Sequence, residues 1–244
     1  IGACRATGYY VIYQLDSKTS AFGALRKHNA FLRSHGFVWR KLVFDCDSIL
    51  FTYANHDALT QDMQAFRVDI GIHVQFTAPH QHWLSFMERS FKPLSLLSCR
   101  NLVSARTNEL VWFDATGHAV DTLNIFPVFS GDDKMILGQA RCASYGYQPN
   151  PLHQLPFGAI VTTMEPGLKA NQFTPMSKLG IVLRNPSASW MGWKVLRATQ
   201  PFQVVQRLFL SYSTERNILP TSLAPFLDLR PDRIPDEVVT NPAI

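Results

Sequence analysis

The chain has 244 residues, enough for one large domain or two smaller ones. Hydrophobic residues make up 46% and charged residues 17%, which excludes a wholly disordered chain and supports a real core. The net charge of +5 is compatible with a polyanionic partner without establishing one.

Cys4, Cys46, Cys99 and Cys142 are far apart and form no CxxC, so neither a zinc ribbon nor a disulfide framework is indicated. Free thiols in a reducing compartment are the expected state. No apolar run reaches transmembrane length, and no secretory signal opens the chain. The first residue is Ile1, not Met, so the expectation is a piece of a longer polypeptide.

In chain order, TGYYVIYQL (7–15) is rich in β-branched and aromatic residues and reads as a strand. In 21–36, Leu25, His28, Phe31 and Leu32 recur at helical spacing and Gly36 supplies a stop. WRKLVFDCD (39–47) reads as a buried strand ending on acids. Residues 55–71 read as an amphipathic helix through Leu59, Met63 and Phe66, closed by Gly71. IHVQFTAP (72–79) alternates and is a strand stopped by Pro79. Two helical stretches follow, about 82–105 and 108–124, with Pro93 expected to kink or break the first. This order predicts α/β layering.

Residues 130–156 are turn-rich and read as a connection. Residues 157–212 hold short strands punctuated by Gly, Pro, Asn and Ser, the pattern of a small β-barrel or meander. Between 150 and 215, six Lys/Arg stand against two Glu. The Pro-rich end, 215–244, reads as a linker or tail.

Asp45 and Asp47 close the 39–47 strand, where an open α/β sheet places its sites. At i and i+2 both can approach one cation. Glu88 follows on the next long helix. A strand-end Asp and a helix-borne Glu suit Mg²⁺, which prefers carboxylate oxygens, and two such ions can drive phosphodiester chemistry. The same residues also fit plainer roles: a strand-end Asp as turn former, and Glu88 beside Arg89 as a solvated charge pair. His73, His80 and His82 cluster without the Cys or carboxylate that would complete a standard zinc pattern. No nucleophile elbow, phosphate-binding glycine loop or HExxH is present. Cys46, between two acids, has a thiol disfavoured as nucleophile.

KLVFDCDSILF, DIGIHVQFTAPHQHWLSFMERSFKPL and LVWFDATGHAVDTLNIFP, in that order, resemble the integrase core of copia-type LTR retrotransposons. LPFGAIVTTMEPG and SKLGIVLRNPSASWMGWKVL resemble the SH3-like domain that follows it. The resemblance implies an RNase H-like α/β core over 1–129, without its first strand. It then implies a connector over 130–150, an SH3-like small barrel over 151–214 and a tail over 215–244. It makes Asp47 and Glu88 the second and third acidic ligands of a Mg²⁺ (or Mn²⁺) site, with Asp45 as the alternative to Asp47. Arg89, Lys92 and His82 become DNA contacts.

It further implies 3′-end processing and strand transfer on DNA by a homo-oligomer, in the nucleus or a cytoplasmic virus-like particle. Neither a membrane nor a small-molecule substrate is implied. The chain departs from the pattern in four places. No acid precedes Thr7 to match the first catalytic Asp, and no upstream HHCC cluster is present. SILFTYAN replaces the Gly-rich loop, and Ser85-Phe86 replaces the Asn-Gly before the Glu. The expected outcome is an impaired integrase. A non-catalytic DNA-binding or assembly module, or an inactive remnant, are the alternatives.

Overall fold

α1 (Ala21–Ser34) stops where the sequence supplies a glycine. Gly36 takes φ 78°, open to a residue without Cβ, and lets Phe37 N donate to Leu32 O at 2.9 Å and Gly36 N to Arg33 O at 3.0 Å. These bonds satisfy carbonyls that the helix end would otherwise leave bare. α2 (Gln61–Ile70) starts on Thr60, whose hydroxyl accepts from Met63 N at 3.4 Å.

The computed structural model describes residues 2–3, 8–15, 17, 20–44, 60–76, 86–125, 128–129, 135–136, 154–164, 177–186, 191–198, 202–212 and 221–226, with residues 2, 44, 76, 86–90, 128–129, 135–136, 164, 177, 221–222 and 224 described by their backbone alone. The chain divides into two compact units: residues 1–93 with 144–146, and residues 94–143 with 147–244.

In the first unit β1 (Gly2–Ala3) pairs antiparallel with β2 (Tyr10–Val11). The strand expected over 7–15 is thus confined to two paired residues. β3 (Lys41–Phe44) and β4 (His73–Phe76) pair in parallel, Lys41 opposite His73 and Phe44 opposite Phe76. Parallel neighbours need a long crossover, and α2 lies within it. Met63, Phe66 and Ile72 are buried together, with Phe22, Leu25, Trp39, Leu42, Ile70 and Val74 packed against them. β3, read as a strand buried on both faces, is covered on one: Leu42 packs into this core while Val43 is 44% exposed. Among the described residues these strands form two separate two-stranded sheets, not the single mixed sheet expected of an RNase H-like core.

α3 (Phe86–Ser104) runs without interruption through Pro93, which was expected to kink or break it. A 3-10 turn (Glu109–Val111) leads into α4 (Trp112–Ile125), and β5 (Val128–Phe129) pairs with β6 (Met135–Ile136).

The second unit centres on β7 (Ile160–Met164), β8 (Ser177–Arg184), β9 (Trp193–Arg197), β10 (Val204–Arg207) and β11 (Leu210–Tyr212). They form an antiparallel sheet in the order β10-β9-β8-β7-β11. This order forces curvature. Edge strands of a flat five-stranded sheet stand about 19 Å apart, yet β10 and β11 are joined by Leu208 and Phe209 alone, a reach of at most about 11 Å. Val205 from one edge and Leu210 from the other accordingly pack against one cluster, Val161, Val182, Trp193 and Val195. The sheet is rolled, and among the described residues no ladder closes it into a barrel.

The opposite face, through Ile181, Leu183, Leu196 and Ala198, packs with Val111 and Ala115 and with Phe157 and Leu223. Leu223 comes from the segment read as a tail. There a 3-10 turn (Thr221–Phe226) is held by Asn108, whose N and Nδ2 donate to Phe226 O and Pro225 O at 2.8 and 2.5 Å.

Candidate functional site

The parallel register of β3 and β4 brings their carboxyl ends to one edge. Asp45 and Asp47 follow the last residue of β3 in sequence; with His82 they lie outside the described residues. Glu88 and Arg89 fall on the first turns of α3. Lys92, also on α3, is exposed.

Helical geometry puts Glu88, Lys92, Ser95 and Cys99 along one stripe of α3, at i, i+4, i+7 and i+11. Lys92, Ser95 and Cys99 are exposed, and Leu94, Ser98 and Asn101 mark the buried side. Phe91, Leu96 and Val103 are also exposed on this helix.

The carboxylates that would hold Mg²⁺ are matched in kind by Asp47 and Glu88, hard oxygen donors suited to that ion. Among the described residues no group of three or more His, Cys, Asp or Glu side chains converges on a metal-sized site. His73, the one described member of the histidine cluster, is exposed on β4.

The densest polar constellation lies in the second unit, between α4 and β8, and sequence reasoning missed it. Asp114, Gly117, His118 and Asp121 share a face at i, i+3, i+4 and i+7. Arg184 donates from Nε and Nη2 to the two carboxylate oxygens of Asp121 at 2.9 and 2.8 Å. Lys194 Nζ reaches Asp114 at 2.5 Å.

His118 places Nε2 2.9 Å from Leu155 O. The same Nε2 lies 3.0 Å from Asn185 Nδ2, and Nδ1 faces Asn101 Nδ2 and the Thr122 hydroxyl, each at 3.4 Å. Asn185 pairs with both backbone groups of Leu155, donating to its O at 2.9 Å and accepting from its N at 3.0 Å. Asn101 also donates to Ala115 O at 3.0 Å. The His118 pKa is lowered from 6.5 to about 4: desolvation by burial drives it down, the Leu155 hydrogen bond opposes this, and nearby Arg184 adds to the lowering.

A histidine, two asparagines and an Arg–Asp pair look like catalytic equipment, but each group here is sealed against backbone or a fixed partner. The arrangement binds helix to sheet. The sequence shows the helix side of it as the stripe Asp114, His118 and Asp121, but nothing in it marks their partners.

No family model and no curated protein matches the chain. Among solved structures, a cryoEM structure of the simian T-cell lymphotropic virus intasome in complex with PP2A regulatory subunit B56 gamma is similar at 16% identity. It covers 84% of this chain and 69% of that one, with a TM-score of 0.37. Likeness at that level transfers neither activity nor partners. No helix among the described residues is long and apolar enough to cross a membrane.

Proposed function

We propose that this chain is an integrase-type polynucleotidyl transferase core followed by a small DNA-binding domain, of the copia-type retrotransposon class. The observation that supports it most is the parallel β3–α2–β4 unit. From its carboxyl edge the chain continues into Asp45 and Asp47 after one strand, and towards the Glu88 helix after the other. That is where an open α/β sheet places a site. The rolled order β10-β9-β8-β7-β11, a four-strand meander whose fifth strand returns beside the first, supports the SH3-like reading of the second part.

In this reading Asp47 and Glu88 hold Mg²⁺ or Mn²⁺, with Asp45 as the alternative at the strand end. The ion supplies an activated hydroxyl and stabilises the leaving oxygen of a phosphodiester. Lys92, one turn beyond Glu88, then faces phosphate from the same stripe, with Arg89 and His82 as further DNA contacts. Two carboxylates alone grip an ion weakly, so turnover in this reading needs a third acid beside Asp47 and Glu88. The working state is a homo-oligomer on element ends and target DNA, in the nucleus or a virus-like particle.

Strand transfer of an oligonucleotide duplex with Mn²⁺, abolished in Glu88→Gln, is the expected result. Activity that survives Glu88→Gln, or none in a chain extended upstream to supply the first Asp, would overturn the enzymatic reading.

One observation favours a second reading, a non-catalytic DNA-binding module. The described residues of β7–β11 and their turns carry Lys178, Arg184, Lys194, Arg197 and Arg207 and no acid. Salt-dependent DNA binding unchanged by Glu88→Gln, without strand transfer, would select it.

A further inference from the structure

Strand β10 ends the five-stranded sheet, and among the described residues no strand pairs with its outer edge. The ladder decides which groups that edge presents. Val204 stands opposite Leu196 and Val205 opposite Val195, and Arg197 N donates to Gln203 O at 2.9 Å. Alternate residues of an antiparallel strand bond to the same neighbour, so Gln203 and Val205 face β9 while Val204 and Gln206 turn their N–H and C=O outward. Arg207 Nη1 caps one of these groups, donating to Gln206 O at 2.8 Å. Val204 N, Val204 O and Gln206 N have no hydrogen-bond partner among the described residues. Val204 is also 48% exposed. An open edge of this kind is a template for a further strand.

The chain itself delivers one. Asn108 holds the 3-10 turn Thr221–Phe226 by two hydrogen bonds, and there Phe226 meets Phe202 edge to face, ring centroids 4.9 Å apart. Phe202 lies two residues before β10. Residue 227 therefore sets out from beside the start of the open edge. The next residues are Leu227, Asp228, Leu229 and Arg230, a strict alternation of apolar and charged side chains stopped by Pro231. They lie outside the described residues. The run matches β10, which is also four residues long.

The faces agree as well. Phe202 and Phe226 pack against the cluster of Ile181, Leu183 and Leu196, whereas Val205 packs on the other face, against Val161, Val182 and Val195. A strand continuing from Phe226 alongside β10 puts Leu227 and Leu229 on the Val205 face and the two charged residues on the opposite one. With Leu229 level with Val205, its N–H meets Val204 O, its C=O meets Gln206 N, and Leu227 C=O meets Val204 N. These are the three groups that β10 leaves open. A separate chain reaches the edge only by giving up translational freedom, while a segment tethered at Phe226 meets it at high effective concentration.

We propose that residues 227–230 add a sixth strand to the sheet, parallel to β10, and cover its open edge. The segment after Phe226 thereby shields backbone that would otherwise pair with other chains.

Amide hydrogen exchange of the whole chain, read by NMR at Val204, Val205 and Gln206, is the test. In wild type, Val204 and Gln206 should exchange about ten-fold or more slowly than in Leu229→Pro, which removes a donor and breaks the pairing. Val205, bonded to β9, should stay slow in both, which shows that the sheet survives the variant. Val239→Pro, in the other strand-like run of the tail, should change nothing. If the Leu229 proline also frees Val205, the wild type decides: a nuclear Overhauser contact between the Leu229 methyls and Val205 is expected, and its absence would overturn the sixth strand.

Val204 and Gln206 amides that already exchange fast in wild type would overturn the proposal. Slow exchange that survives Leu229→Pro would overturn it too. Release on dilution would then assign the edge to a second copy of the chain, and release by Val239→Pro would assign it to the later part of the tail.

Discussion

Arg184 of β8 grips Asp121 of α4 through two parallel hydrogen bonds of 2.9 and 2.8 Å, and Asp121 is almost completely buried. Two charges withdrawn from water gain little net stability as a pair, but removing one leaves the other stranded. Asp121→Ala should therefore cost about 3–5 kcal/mol, read as a lowered urea midpoint. Replacing both residues with apolar ones of similar volume should recover most of that loss. A single variant that melts like wild type would show that the pair holds nothing together.

Gly117 lies under the same guanidinium. A Cβ there would stand 2.9 Å from Arg184 Nε and 3.0 Å from its Cδ and Cζ. Gly→Ala in a helix normally stabilises by about 1 kcal/mol. Here the sign should reverse, because Arg184 is anchored at its far end and has little room to retreat. Gly117→Ala should lower the melting temperature alone, yet raise it in an Arg184→Ala background. Additive effects in the double-mutant cycle would disprove the coupling.

The helices of the first unit were legible because their signals are local: apolar spacing through Met63 and Phe66, and glycines at 36 and 71. The crossover between β3 and β4 was legible from their alternation with helices. The α4–β8 seam was not, because Asp121 meets Arg184 across 63 positions and nothing local marks either as paired. The break that Pro93 could have made does not occur. The local rule against a mid-helix proline is sound, but α3 continues on both sides, with Leu94 fully buried just after it. Glu88 was legible as a helical position.

Leu223 tests how far the second unit extends. Proline content made 215–244 look like a linker, because Pro withholds backbone donors from regular elements. A side chain can still dock from irregular backbone, and Leu223 is fully buried in the core of the rolled sheet. Leu223→Ala should cost about 2–5 kcal/mol. Truncation before Thr221 should cost at least as much, since it also strips Asn108 of its two backbone acceptors. Truncation without effect on the melting transition would return the segment to the status of tail.

Metal binding offers a test that does not depend on turnover. If Asp47 and Glu88 share an ion, Mn²⁺ titrated into the chain should broaden NMR signals around both positions. Asp47→Asn and Glu88→Gln should each weaken that effect by about ten-fold or more, at roughly 1.4 kcal/mol per decade. Lys92→Ala should leave it intact or slightly strengthen it, because a neighbouring cation opposes a second one. Broadening that ignores both carboxylate variants would place the ion elsewhere.

The pH dependence of stability follows from two histidines, His118 buried and His28 half-buried. Burial lowers both His118 and His28 from 6.5 to about 4. The folded state therefore keeps them neutral, and the unfolded chain takes up protons first as pH falls. Their contribution is complete above about pH 6.5, declines as pH drops towards 4, and changes no further below that. For His118 the full effect is on the order of 3 kcal/mol. For His118 the Leu155 hydrogen bond opposes the lowering that burial causes, and nearby Arg184 adds to it. Denaturation midpoints should thus rise from pH 4 to pH 6.5 and flatten above. In His118→Gln the rise should shrink to the part owed to His28. A midpoint that rises equally in wild type and variant would show that His118 is not neutral because of its burial.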